Sequence, residues 1–239
     1  SNMNKVDNLP EGPEIRKLLD DLAGITPSTK YGRSYVNSLN GFSDEITSLA
    51  TQNGLSVTDF KNLQQKRFNT TEMTIEEMGK IENIRNSIQS PNGSTILQKV
   101  IPKSDIQNYL NGSYNQIGGF VTTAKDAKHL QTFEDVYYGM RLDYNNTKFN
   151  LSDESFGVIR YKTNNPNATI PKLPNIDEPP PYTGNGFTGG NNGKLGVPEW
   201  KTPYNTPEDG AELWEVDTNG NETLKAIFSA SQNKFIAVP

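Results

Sequence analysis

The chain has no cysteine and a single histidine, His129, among its 239 residues. The first absence excludes disulfides, thiolate zinc sites and cysteine nucleophiles. The second excludes a multi-histidine metal site and the histidine pair of a typical ribonuclease. No stretch approaches the roughly 18 apolar residues that a membrane span needs, and the start carries no basic-then-apolar leader. A basic stripe is missing too. Lys and Arg number 23 against 28 Asp and Glu, for a net charge of -5, and the lysines are scattered. Sequence-independent binding of nucleic acid, which needs a basic surface to neutralise phosphates, is therefore not expected. Freedom from cysteine fits an exported bacterial protein, although cytosolic proteins also lack it. Ser1-Asn2 ahead of Met3 reads as a cloning remnant, which leaves open the removal of a leader or a larger upstream region.

What is present divides near residue 90. Residues 1–90 read as a helical N-terminal region. Pro13-Glu14 opens a run in which Ile15, Leu18, Leu19 and Leu22 recur at helical spacing before Gly24. Tyr35 to Leu49 repeats the pattern, with Ser43-Asp44-Glu45 after Gly41 as a fresh start. Ser56-Val57-Thr58-Asp59 is a capping-box sequence ahead of Phe60 and Leu63. Thr74-Ile75-Glu76-Glu77 starts a further helix whose Ile75, Met78, Ile81, Ile84, Arg85 and Ile88 form one largely apolar stripe.

After Ser90-Pro91-Asn92-Gly93 the period turns to alternation. Strands are expected at Leu97 to Ile101, Ile117 to Thr122, Met140 to Tyr144 and Val158 to Lys162, with a short helix over residues 104–110. Residues 164–196 are rich in Pro, Gly and Asn and read as a long loop. Strands at Glu199 to Thr202, Glu212 to Val216 and Thr223 to Phe228 close the chain, the last two joined by an Asn219-Gly220 turn.

Two stretches carry the functional signal. Gly118-Gly119-Phe120-Val121-Thr122-Thr123-Ala124 ends a strand in hydroxyls before a helix-like run, Lys125 to Leu130. The Gly/Asn-rich Tyr182 to Gly196 runs into Val197-Pro198-Glu199-Trp200. With the order of elements over roughly residues 72–229, they resemble the ADP-ribosyltransferase superfamily of bacterial toxins, particularly the compact C-terminal domains of polymorphic toxins. Phe120-Val121-Thr122-Thr123-Ala124 approximates that family's Phe-x-Ser-Thr-Ser strand with two hydroxyls kept. Glu199 stands where a flexible loop meets the strand bearing the catalytic glutamate.

The resemblance implies an α+β protein in which residues 91–239 form a split β-sandwich of the ADP-ribosyltransferase type and use NAD as substrate. Breaking the nicotinamide–ribose bond builds positive charge on the sugar, which a carboxylate stabilises. Glu199 is the candidate for that role, with Thr122 orienting it or the ribose. Lys99, Gly119, Phe120, Thr123, Arg141, Phe187 and Trp200 are candidate cofactor-binding residues, an aromatic among them stacking on the nicotinamide. The family's first strand carries Arg or His where this one offers Gln98 and Lys99, and Lys99 binds oxygen only as a point charge. Arg141 or Arg160 is an alternative from another strand. Val197 replaces the Glu or Gln that arginine-modifying members place two residues before the catalytic Glu, which favours NAD hydrolysis or another acceptor. The implied role is a secreted or delivered toxin, with a protein acceptor and an immunity protein as partners.

Other readings stay open. Glu199-Trp200-Lys201 with Asp177 upstream is the minimal pattern of a metal-dependent nuclease. A non-enzymatic binding module is a third reading. Taken singly, Thr122 and Thr123 suit a strand by propensity, and Glu199 suits the solvated start of an edge strand. Residues 184–193 fit a mobile linker as well as a gating loop. Arg141 and Arg160 fit ion pairs with Asp143 or Glu154, Tyr137-Tyr138 fits core or pocket wall, and His129 fits the surface.

Overall fold

The computed structural model describes residues 29–171 and 185–239. The expected helix at Pro13 to Gly24, Asp177, and Tyr182 to Gly184 lie outside them. The fold is mixed α and β, built on a curled seven-stranded antiparallel sheet. Among the described residues four helices come first: α1 (Arg33–Ser38), α2 (Phe42–Gln52), α3 (Val57–Gln64) and α4 (Ile75–Asn86). Next come β1 (Leu97–Ile101), α5 (Lys103–Leu110), β2 (Ile117–Thr123), α6 (Phe133–Gly139) and β3 (Ser155–Tyr161). The closing strands are β4 (Trp200–Asn205), β5 (Glu212–Asp217), β6 (Glu222–Ser229) and β7 (Lys234–Ala237). Their order in the sheet is β4-β2-β1-β3-β5-β6-β7.

Local chemistry sets the helix starts. Ser56 Oγ accepts from the Asp59 amide at 3.0 Å while Asp59 accepts from the Ser56 amide at 3.3 Å, and Thr74 and Glu77 repeat the exchange at the start of α4. Gly41 splits the expected Tyr35-to-Leu49 helix into α1 and α2. A Cβ at Gly41 would lie 1.9 Å from the Lys125 carbonyl oxygen, so the chain must turn there without a side chain.

The apolar residues fall into three groups. One face of the sheet packs Leu97, Ile101, Val121, Ile159, Tyr161, Trp200, Leu213 and Phe228 together with α5. The other packs Val100, Phe156, Val158 and Val216 against Phe133 and Val136 of α6. The third group joins Phe42, Phe60, Leu63, Ile81 and Ile84 of the helices to Phe187 and Leu195. The two chain halves thus share a core at the Gly/Asn-rich segment. No helix among the described residues is long and apolar enough to cross a membrane.

Several expectations are corrected. Met140 to Tyr144 is not a strand: Met140 caps α6, and Arg141 takes a positive φ of 52° that ends regular structure. Lys125 to Leu130 forms turns, with Ala127 donating to the Thr123 carbonyl, and not a helix. Residues 185–190 are buried where a mobile linker or gating loop was expected. Thr188 and Val197 pair through their backbones at 2.8 Å, and the Gly196 amide donates to the buried Gln64 side chain at 3.0 Å. The glycines there permit close packing: a Cβ at Gly196 would fall 2.1 Å from the Thr188 carbonyl oxygen. His129 is half-buried, its Nε2 3.2 Å from the Leu195 carbonyl oxygen. Strand β7 has no counterpart in the expectations, since its four residues carry too little pattern.

Candidate active site

β1 and β2 pair only at Leu97↔Thr123 and Gln98↔Thr122. Beyond those rungs β2 follows β4, with Val121 opposite Trp200, Phe120 opposite Lys201 and Gly119 opposite Thr202, and with an irregularity between Ile117 and Gly119. Gly119 makes this break possible. Its φ of 77° is costly for a residue with a Cβ, and a Cβ there would sit 3.5 Å from Lys99 Nζ and 3.6 Å from Tyr204 Oη. Lys99 reaches across the gap and donates to the Phe120 carbonyl oxygen at 2.9 Å. The lysine thereby joins two strands that no longer share a ladder.

Glu199 directly precedes Trp200, the partner of Val121, and continuing that register by one residue sets it opposite Thr122. Residues opposite each other in an antiparallel pair share a face. The register therefore sets Glu199 and Thr122 on one side of the sheet, with Phe120 and Lys201 two residues further along. The Glu199 amide donates to the Gly186 carbonyl at 2.9 Å, and the Thr122 hydroxyl donates to the Pro198 carbonyl oxygen at 2.7 Å. The backbone carrying Glu199 is thus held from both sides.

Its carboxyl is held far less. Glu199 is 8% exposed, and its Oε1 is buried with no hydrogen-bond partner. Burial pushes its pKa up to about 8, with the Lys99 charge pulling it back in part. Burial also lowers Lys99, to about 8, against the pull of Glu199 and Asp105. The arrangement stores a carboxyl group that is largely protonated at neutral pH.

The other candidates divide into those near this carboxyl and those engaged elsewhere. Phe120 is half exposed, and the Lys201 ammonium lies 5.8 Å from its ring centroid. Thr123 faces away from Thr122 and donates to Asp126 at 2.7 Å, fixing the turn after β2. Trp200 and Phe187 have no exposed surface. Phe187 packs edge-on against Phe60 at 5.2 Å, and neither ring presents a face to a ligand in this structure. Arg141 grips Asp143 with Nε and Nη2 at 2.9 and 3.3 Å, an ion pair on the tight turn after α6. Arg160 is likewise engaged. It binds Gln98 at 3.0 Å, the Tyr31 carbonyl at 2.9 Å and Glu222 at 2.8 Å, while Arg33 also reaches Glu222 at 2.8 Å. Its acidic partner is Glu222, and neither Asp143 nor Glu154.

The register also reveals a buried polar row that single-strand patterns did not suggest. Thr122 pairs with Gln98, Gln98 with Arg160, and Arg160 with Glu212. Glu212 accepts from the Lys30 and Tyr31 amides at 2.9 and 3.1 Å. Burial outweighs those donors and raises its pKa to about 7. An Arg inside an otherwise apolar strand was the one available sequence signal. Among the described residues no group of three or more acidic or histidine side chains gathers as a metal ion would require. Comparison of the chain with protein families, with curated proteins and with solved structures gives no match.

Proposed function

We propose that the protein is a secreted or delivered bacterial toxin that acts on NAD, either transferring ADP-ribose to an acceptor or hydrolysing the nicotinamide–ribose bond. The observation that carries this reading is the Glu199 carboxyl: buried, unpartnered at Oε1, and opposite Thr122 where β2 parts from β1. Oxidised nicotinamide is itself cationic, and positive charge moves onto the ribose as the bond breaks. A carboxylate with no competing hydrogen bond interacts more strongly with that charge than with the neutral ground-state sugar.

Thr122 acts in this scheme as a positioning residue, because its hydroxyl holds the Pro198 carbonyl in front of Glu199. Phe120 is the candidate ring for nicotinamide, since it alone of the three candidate aromatics is exposed. Burial sets the ionisation of Glu199, and the Lys99 charge offsets part of that effect. A protein acceptor and an immunity protein are the partners the reading implies, and Val197 two residues before Glu199 favours hydrolysis or an acceptor other than arginine. The test is to mix the protein with NAD and measure free nicotinamide, with and without candidate acceptor proteins. Release that depends on Glu199 supports the reading, and no release under either condition overturns it. The nuclease reading gains no specific support, since Asp177 lies outside the described residues.

A further inference from the structure

Arg85 closes the apolar stripe of α4 and is 3% exposed. A guanidinium keeps its charge in proteins, so a buried one is ordinarily paired with an acid or bound to carbonyls. Here Nε and Nη2 are buried with no hydrogen-bond partner. Burial lowers its pKa to about 10, and Asp126 alone pulls the other way. That carboxylate is already engaged: its Oδ1 accepts from the Phe42 amide at 3.0 Å, and its Oδ2 accepts from the Thr123 hydroxyl at 2.7 Å. The Arg85 guanidinium lies 4.6 Å from the Trp200 ring centroid and 5.9 Å from that of Phe187. Stacking of this kind orients the fork but offers it no acceptor.

The neighbouring groups add donors. Gly186 passes so close that a Cβ would fall 2.3 Å from Arg85 Nε. Beside it, Asn185 Oδ1 accepts from the Phe187 amide at 3.0 Å, and Nδ2 is buried without a partner. The Trp200 indole Nε1 is also buried and unpartnered. Each buried donor without an acceptor is costly, and unpaired donors on Asn185, next to Gly186, and on Trp200, whose ring lies beside Arg85, join a buried cation that also lacks an acceptor, the complement of an anion. We propose that Arg85, Asn185 and Trp200 form a binding site for a phosphate-class oxyanion where α4, residues 185–187 and the start of β4 meet. A planar fork matches two oxygens of such an anion, and the remaining oxygens suit the amide and indole donors. Glu199 precedes β4, and the acid whose charge acts on Arg85 is Asp126 and not Glu199, so this site is separate from the Glu199 carboxyl. It does not rest on the NAD reading.

The experiment is calorimetric titration of the full chain with inorganic phosphate and inorganic pyrophosphate, alongside thermal melting at matched ionic strength. Wild type is expected to bind and to melt higher with either anion than with chloride. Arg85→Met should weaken binding at least about tenfold, the difference between a bidentate charged contact and none. Lys148→Ala, which removes an exposed charge, should leave binding unchanged. Should Arg85→Met fail to fold, Arg85→Lys decides, because it keeps the charge and loses the fork; binding at least about threefold weaker is expected. Wild type that binds neither anion up to about 10 mM, or an Arg85→Lys variant that binds as well as wild type, overturns the site. Nicotinamide release measured on the same samples keeps this result separate from the fate of the NAD proposal.

Discussion

The Thr122 hydroxyl donates across 2.7 Å to the carbonyl oxygen of Pro198, and neither residue exposes that contact to solvent. The bond ties the last part of β2 to the residue in front of Glu199, so the position of the carboxyl depends on a side chain of the neighbouring strand. Removing the hydroxyl would leave the Pro198 carbonyl without that donor and loosen the backbone that aims Glu199. Thr122→Val is therefore expected to lower nicotinamide release about tenfold and to destabilise by about 1 kcal/mol, whereas Thr122→Ser keeps the donor and most of both. Equal activity of Thr122→Val and wild type would remove the positioning role.

Glu199→Gln should keep the fold and lower NAD turnover at least about 10²-fold, because a neutral amide cannot stabilise a developing oxocarbenium charge. On the NAD reading the active form is the carboxylate, and burial keeps this group protonated up to about pH 8. The rate of nicotinamide release at low NAD is then expected to rise with pH and level off above about pH 8. A flat profile between pH 6 and 9, or wild-type turnover in Glu199→Gln, removes Glu199 from the chemistry.

The same group makes stability depend on pH in a defined direction. Its unfolded pKa is that of an ordinary glutamate, about 4.3, and its folded value is about 8. Between those values the folded chain binds the extra proton, so stability from this group is complete below the unfolded value and is lost as pH rises towards 8. Glu199→Gln cannot lose it. Its melting temperature should exceed that of wild type by a few degrees at pH 8 and match it near pH 4.5, since ~1 kcal/mol moves Tm by roughly 2–4 °C in a chain of this size. A difference that is the same at both pH values contradicts the buried-acid account.

Lys201 separates the enzyme readings. It is exposed beside Phe120, two residues past Glu199. Lys201→Ala should leave nicotinamide release within about twofold of wild type, a change of less than 0.5 kcal/mol in transition-state binding. Magnesium-dependent cleavage of DNA or RNA that vanishes in Lys201→Ala, with no nicotinamide released by wild type, would establish the nuclease instead.

Two glycine substitutions contrast a packed position in the Gly-rich segment with an open one in α4. Gly196→Ala forces a methyl to 2.1 Å from the Thr188 carbonyl oxygen and should cost about 1–3 kcal/mol in urea unfolding. Gly79→Ala in α4 meets nothing within 4 Å and should stabilise by about 0.5–1 kcal/mol through helix propensity.

Much of the fold was legible before any coordinates, and the reason is local. The capping boxes at Ser56 and Thr74, the Asn219-Gly220 turn and the alternation at Leu97 to Ile101 act through neighbours within four residues in the chain. Periodicity misled where a longer-range demand prevailed. Met140 to Tyr144 alternates like a strand, yet Arg141 takes a positive φ and spends its guanidinium on Asp143. Residues 185–190 have a loop's composition, yet they are buried, with Phe187 packed against Phe42 and Phe60.

By itself, the sequence determined the residue types available for chemistry: no thiol, one imidazole, a Thr-Thr strand end and a glutamate after a Gly-rich run. It also determined where most helices and strands begin, because caps, turns and alternation are properties of contiguous residues. Only the tertiary structure decided which candidates meet and which charges stay unpaired. Strand order brings Thr122 opposite Glu199, 77 residues later in the chain, and burial there turns an ordinary glutamate into an acid with a pKa of about 8. Packing of α4 on β4 leaves Arg85 against an indole without a carboxylate bound to it. Pairing and desolvation depend on what lies across space from a side chain, and contacts between such distant positions are not encoded in the local pattern around either one.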